Sequence, residues 1–292
     1  MSFSKKPVKF LATPVFFRIL TGFFFGLFFF FHTRPALAWG PAVHYQLGIK
    51  FIELCLGGVL LGKILRNNKD YFLYGNVIAD LIAGKSKIDY TDSSHNWKII
   101  AKMAENSSSQ AQEVFTLGFK LHLAADTVAH NEFVPDNLSR TKLPPRAEHA
   151  YWEFKAENQI PSEARKDLKR MTDCDLNEVE KLLEDTIPTT VFPFAVNWKL
   201  IKSLLGLSAH PNWHKITEKW QELSRHDFKQ DDFNPYFEES LRRMQWCCGS
   251  REQKKQIYRL DPTGTYNELP KTHQATGSLL DNDLSELLTY NF

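Results

Sequence analysis

The chain is poor in cysteine. It has four in 292 residues, and no two stand at the C-x-x-C spacing of a metal knuckle or a redox pair. Cys55 lies in an apolar helical pattern and reads as a buried side chain. Cys247 and Cys248 are neighbours, so a bridge between them would be strained; either one pairs elsewhere or both stay reduced. Neither sign of charge is in large excess. The formal net charge is +2, and nothing in it suggests a general electrostatic grip on nucleic acid. No run of apolar and polar residues alternates as a half-buried strand would, and there is neither an internal repeat nor a low-complexity linker. Repeat, disulfide-scaffold and all-β architectures are therefore not expected.

The small net charge hides an uneven distribution. Residues 1–38 carry five cations (Lys5, Lys6, Lys9, Arg18, Arg34) and no acid, and without them 31 cations face 34 anions. Lysines come first, then the apolar run 19–31, then Ala36-Leu37-Ala38. That order is the one signal peptidase reads, and it predicts export with cleavage after Ala38 and a mature chain that begins at Trp39. The apolar run has 13 residues, short of the roughly 20 that cross a bilayer, so an uncleaved membrane anchor is the alternative.

The rest reads as helix after helix. Apolar residues at helical spacing predict helices over 45–65, 70–83, 97–105, 109–133, 146–159, 162–170, 177–186, 198–205, 214–223 and 235–246. Residues 84–94, the proline-bearing 135–145 and the tail 263–277 read as loop. The expected class is all-α: a multi-helix core over 39–160 and a C-terminal helical extension over 161–292 packed on it.

The chemistry concentrates in the longest helix. His122, Asp126 and His130 are spaced by four, and four residues of helix are about 400°, so all three fall within about 80° of one face. Two imidazoles and a carboxylate on successive turns are zinc donors. His149 and Glu153 repeat the spacing on the next helix. One such pair is the ordinary surface ion pair of a helix, but two sets within 32 residues are not. Upstream stand His44, Asp80 and His95, each an ordinary polar residue alone and a third group of donors when taken together.

In order and spacing these residues resemble the zinc-dependent phospholipase C family, which includes the N-terminal domain of GPI-specific phospholipase D. The pieces that carry the resemblance are Trp39-Gly-Pro-Ala-Val-His44, Tyr74-Gly-x3-Ala-Asp80, Ser94-His95-x-Trp97, Gly118-x3-His122-x3-Asp126-x3-His130 and His149-x3-Glu153, within about 39–157. More distantly the pattern is similar to fungal single-strand-specific zinc nucleases. The resemblance implies three zinc ions. Asp80, His95, His122 and Asp126 would hold one. Asp126 would bridge to a second, which also takes His44 and the amino nitrogen and carbonyl oxygen of Trp39. His130, His149 and Glu153 would hold the third. Only an α-amine freed by cleavage could ligate at Trp39, because an amide nitrogen is a poor donor.

The implied reaction is phosphodiester hydrolysis by a zinc-bound hydroxide, with Asp80 as the catalytic residue that orients or deprotonates the water and plain ligation as its alternative role. A phospholipid substrate would yield a diacylglycerol-type product and a phosphorylated head group. Choline-selective members carry an acid and an aromatic where Ala42 and Leu81 stand here. The related nucleases end the third site in His-x3-Asp, whereas this chain has Glu153. With no basic, aromatic groove in view, no stable nucleic-acid partner is expected. A nuclease or general phosphodiesterase is the second reading, and a non-catalytic exported zinc-binding protein the third. Residues 191–207, apolar with two lysines, are a candidate for peripheral membrane contact or for plain core packing.

Overall fold

The computed structural model describes residues 39–55, 59–81, 94–138, 140–141, 143–171, 173–187 and 227–265. The expected leader at 1–38, the helices at 198–205 and 214–223 and the segment 191–207 lie outside the described residues. Among the described residues there is no strand. The helices are α1 (Pro41–Cys55), α2 (Val59–Asn67), α3 (Lys69–Ile78), α4 (Trp97–Asn106), α5 (Gln110–Val128), α6 (Val134–Asn137), α7 (Pro145–Glu157), α8 (Ser162–Met171), α9 (Asn177–Thr186), α10 (Gln230–Cys247) and α11 (Arg251–Tyr258). A 3-10 turn, Ala79–Leu81, extends α3, and a π turn, Ala129–Phe133, joins α5 to α6.

The fold is arranged around α5. Every residue from Val114 to Val128 is buried, including Lys120, His122, Asp126 and Thr127. A helix covered all round is a central one, and α3, α4, α9 and α10 all pack on it. Its start is set by Ser109, whose Oγ accepts from Gln112 N at 3.3 Å. The start of α4 is set in the same way by Asn96, which accepts from Lys98 N at 2.9 Å. α1 begins with Pro41 in its first turn, where a missing N–H costs nothing.

The tightest helix pair is α3 with α5. Its cause is two glycines that face each other's backbone: a methyl at Gly75 would overlap the Phe115 carbonyl oxygen, and one at Gly118 would overlap that of Phe72. Neither neighbour is a flexible side chain that could yield. α10 packs along α1 and α5. Trp39 anchors it, donating from its indole N–H to Ser240 Oγ at 3.1 Å and lying against Phe133 and Phe233.

Several boundaries differ from the periodicity. The helix expected over 45–65 is two, α1 ending at Cys55 and α2 starting at Val59. Cys55 is half-buried rather than buried, and all four cysteines are free thiols. The loop expected from 135 instead opens with α6, because Pro135 sits in a first turn that needs no N–H from it. α10 starts at Gln230, five residues before Pro235. α11 has no counterpart in the apolar pattern; its signal is the capping box Ser250-x-x-Gln253, with both reciprocal bonds made. No helix among the described residues is long and apolar enough to cross a membrane.

The glycine crossing yields a test. Gly118→Ala should lower stability by about 1–3 kcal/mol through overpacking, whereas Ala111→Gly, at a half-buried position of the same helix, should cost only about 1 kcal/mol from backbone entropy. Chemical denaturation of both variants checks this, and a Gly118→Ala protein as stable as the parent would contradict the close crossing.

A candidate metal centre

Three imidazoles and two carboxylates meet on the crossing of α3 and α5. His44 comes from the first turns of α1, Asp80 from the 3-10 turn after α3, His95 from just before α4, and His122 and Asp126 from successive turns of α5. All five are buried. His44 Nε2 lies 3.1 Å from Asp126 Oδ1 and 3.4 Å from Asp80 Oδ2. His95 Nε2 lies 3.0 Å from both Asp80 Oδ1 and Asp126 Oδ2. His122 Nε2 is 3.1 Å from Asp126 Oδ2 and 3.7 Å from Asp80 Oδ1. Ligand atoms of His44, Asp80, His122 and Asp126 all lie within 4.8 Å of one another.

These spacings suit a shared cation. Two donors about 2.0–2.1 Å from one tetrahedral zinc are roughly 3.3 Å apart. Both Asp126 oxygens and His44 Nε2 are buried without a bond of hydrogen-bond geometry, yet His44 Nε2 lies 3.1 Å from Asp126 Oδ1, so these atoms face a common space. His122 is held from behind, its Nδ1 at 2.8 Å from the Asn76 carbonyl oxygen. His95 is held by Ser94 Oγ, 3.1 Å from its Nδ1. A partner on Nδ1 leaves Nε2 to face the cluster, the usual support of a metal-ligating histidine.

Burial and mutual charge set the protonation. Burial alone would lower His44, but the Asp126 and Asp80 carboxylates outweigh it and hold the imidazole up at about 9. Burial lowers His122, and the charge of His44 pushes it further down. The two rings stack with centroids 3.8 Å apart, so only one of them carries the proton. Burial would raise both carboxyls, yet the facing histidines win and keep Asp80 and Asp126 well below the usual carboxylate range.

His130, His149 and Glu153 form a second group. His149 Nε2 is 2.8 Å from Glu153 Oε1, and the His130 and His149 rings lie 5.7 Å apart by their centroids. Burial pushes Glu153 up to about 7 against the pull of His149, and burial takes His130 down to about 3. His130 is thus neutral, the form that can ligate. The helical reading puts His122, Asp126 and His130 on one face of a single helix; the structure instead ends the α-helix at Val128 and continues as a π turn through His130. His130 is thus the second residue of a turn with i to i+5 bonding and not part of the regular α-helix.

The structure brings together His44, Asp80, His95, His122 and Asp126, and separately His130, His149 and Glu153. His44, assigned to a different ion from His95 and His122 by the family pattern, shares one cluster with them here. The Trp39 indole is packed into the core and takes no part, while its backbone stands one turn ahead of His44, whose N–H donates to the Gly40 carbonyl. The support from Asn76, a backbone carbonyl, had no sequence signal. Neither did Glu157, although it extends the four-residue spacing of His149 and Glu153 by one more step. Its buried carboxylate accepts from Ala42 N at 2.8 Å and Val43 N at 3.2 Å, capping α1 from another helix.

A helical protein with buried imidazoles and carboxylates converging in this way is of the zinc-hydrolase class. The family model described as zinc dependent phospholipase C matches residues 44–191, about half of the chain. The chain belongs to that family. The match runs past Glu157 through α8 and α9. No curated protein and no solved structure gives a significant match.

Loss of a supporting bond should weaken the metal without removing a ligand. Ser94→Ala is expected to lower zinc affinity about 10–100-fold, measured by competition with a chromophoric chelator. Affinity equal to the parent's would remove Ser94 from the metal centre.

Proposed function

We propose that this protein is an exported zinc-dependent phosphodiester hydrolase that cleaves phospholipids in the manner of phospholipase C. The observation that carries the reading is the convergence of His44, His95 and His122 on Asp80 and Asp126 in a buried site of a chain of this family. The donor set fits zinc: imidazole nitrogens and carboxylate oxygens, with no thiolate. Three ions are proposed. His44, Asp80, His95, His122 and Asp126 would hold two with the backbone of Trp39, and His130, His149 and Glu153 would hold the third. When bound, zinc supplies a Lewis acid and brings the pKa of water near 7.

The residues themselves do the positioning. Asp126 presents one oxygen to His44 and the other to His95 and His122, so it ties the two halves of the cluster together. Asp80, ionised and in the middle of the 3-10 turn, is the group we assign to orient or deprotonate the attacking water. Attack on phosphorus displaces the glycerol oxygen and leaves a diacylglycerol and a phosphorylated head group. Export and cleavage after Ala38 would expose the Trp39 amine at the start of α1. A phospholipid is the proposed partner, met by peripheral contact with a membrane.

The test is direct. The processed protein should bind about three zinc ions per chain and release phosphorylated head group from at least one of phosphatidylcholine, phosphatidylethanolamine and phosphatidylinositol. Asp80→Asn should lower kcat about 10²–10⁴-fold, the range for loss of a proton-transfer group. Asp126→Asn should lose both zinc and turnover. Single-stranded DNA cleavage without lipid turnover would shift the reading to a nuclease, and zinc loading without turnover of any diester would shift it to a zinc-binding protein.

A further inference from the structure

The π turn that carries His130 is gripped from two sides. On one side stands Arg243 of α10, buried despite its charge. Its Nη1 donates to Thr127 Oγ1 at 3.0 Å, its Nε to Glu239 Oε1 at 2.9 Å, and its Nη2 to Glu132 Oε1. Thr127 lies in the last α-helical turn of α5, beside Asp126, and Glu132 lies inside the π turn. The guanidinium therefore spans the point where the helix changes from α to π, with His130 between its two anchors. On the other side Asn131 Nδ2 donates to Thr127 O at 2.8 Å and to Asp261 O at 2.9 Å. Gly264, in a left-handed conformation with φ of 67°, packs against the His130 Cβ.

Such a grip has a physical reason. A π turn is a rare conformation that competes with the plain α-helix. Returning one inserted residue to α-helical register rotates the rest of the helix by about 100° about its axis. Buried ion pairs contribute little net stability in general, so a desolvated arginine tied to both sides of the irregularity needs another explanation. We infer that Arg243 is a positioning residue that fixes the π turn and thereby aims His130 at the zinc shared with His149 and Glu153. The inference rests on the zinc-hydrolase reading above and adds to it a residue of α10, outside the matched stretch 44–191.

Zinc counting by chelator titration, with activity not needed as a readout, tests it on the full chain. In Arg243→Met one zinc should be lost or bound at least about tenfold more weakly, with the others held as in the parent. That zinc should be the one His149→Ala removes, so the double variant should lose no more than His149→Ala alone. Arg243→Lys should recover part of the affinity, because one ammonium can reach Glu132 or Thr127 but cannot span both. If Arg243→Met does not fold, Glu132→Gln, whose side chain is 40% exposed, should show a smaller loss confined to the same ion. Unchanged zinc in these variants, or equal weakening of every ion, would overturn the role of Arg243 alone. A parent protein that binds no zinc would overturn the underlying reading as well.

Discussion

The backbone contact between α3 and α5 at Gly75 and Gly118 sets where everything else can stand. Two helices that meet without side chains between them approach far enough for the Asn76 carbonyl to reach His122 Nδ1. The same approach puts the end of α3, with Asp80, beside the turn of α5 that carries Asp126; His95 touches both. Larger residues at the crossing would separate the two halves of the cluster by the width of a side chain. Ligand geometry tolerates a few tenths of an ångström, not that much.

Burying these groups has an electrostatic consequence. Asp80 and Asp126 are like charges in a desolvated space, which burial and repulsion both oppose. Three imidazoles around them reverse the balance, and His44 carries the compensating proton. A divalent cation, when bound, would take over that compensation. The Glu157 cap belongs to the same logic. It satisfies two N–H groups at the start of α1, and so fixes the helix that delivers His44 into the cluster.

Helix α5 and the π turn that continues it supply candidate donors to both groups. His122 and Asp126 lie with His44 and His95, and the His130 ring lies beside that of His149. Helix α10 closes over this irregularity with Arg243 at one end of its contact and Trp39 against Ser240 nearby. The C-terminal helices are thus joined to the site by hydrogen bonds as well as by apolar packing.

Much was legible in the sequence because helical periodicity and four-residue spacing are local. The all-α class, the interiors of α4, α5, α8 and α9, and the candidate donors His44, Asp80, His95, His122, Asp126, His130, His149 and Glu153 could be read that way, the last set with the help of the family pattern. The capping box of α11 was present but was hidden in a segment with few apolar residues. The rest depends on contacts distant along the chain. Nothing in the spacing of Asp126 and His130 shows a π turn, since it is imposed by partners more than a hundred residues away, Arg243 and Asp261. Nor can a sequence show that the carbonyl of Asn76 or the carboxylate of Glu157 is aimed at another helix. Local pattern determined which residues could bind a metal. Only the packing of helices decided which of them meet, because that is a matter of backbone approach and not of spacing along the chain.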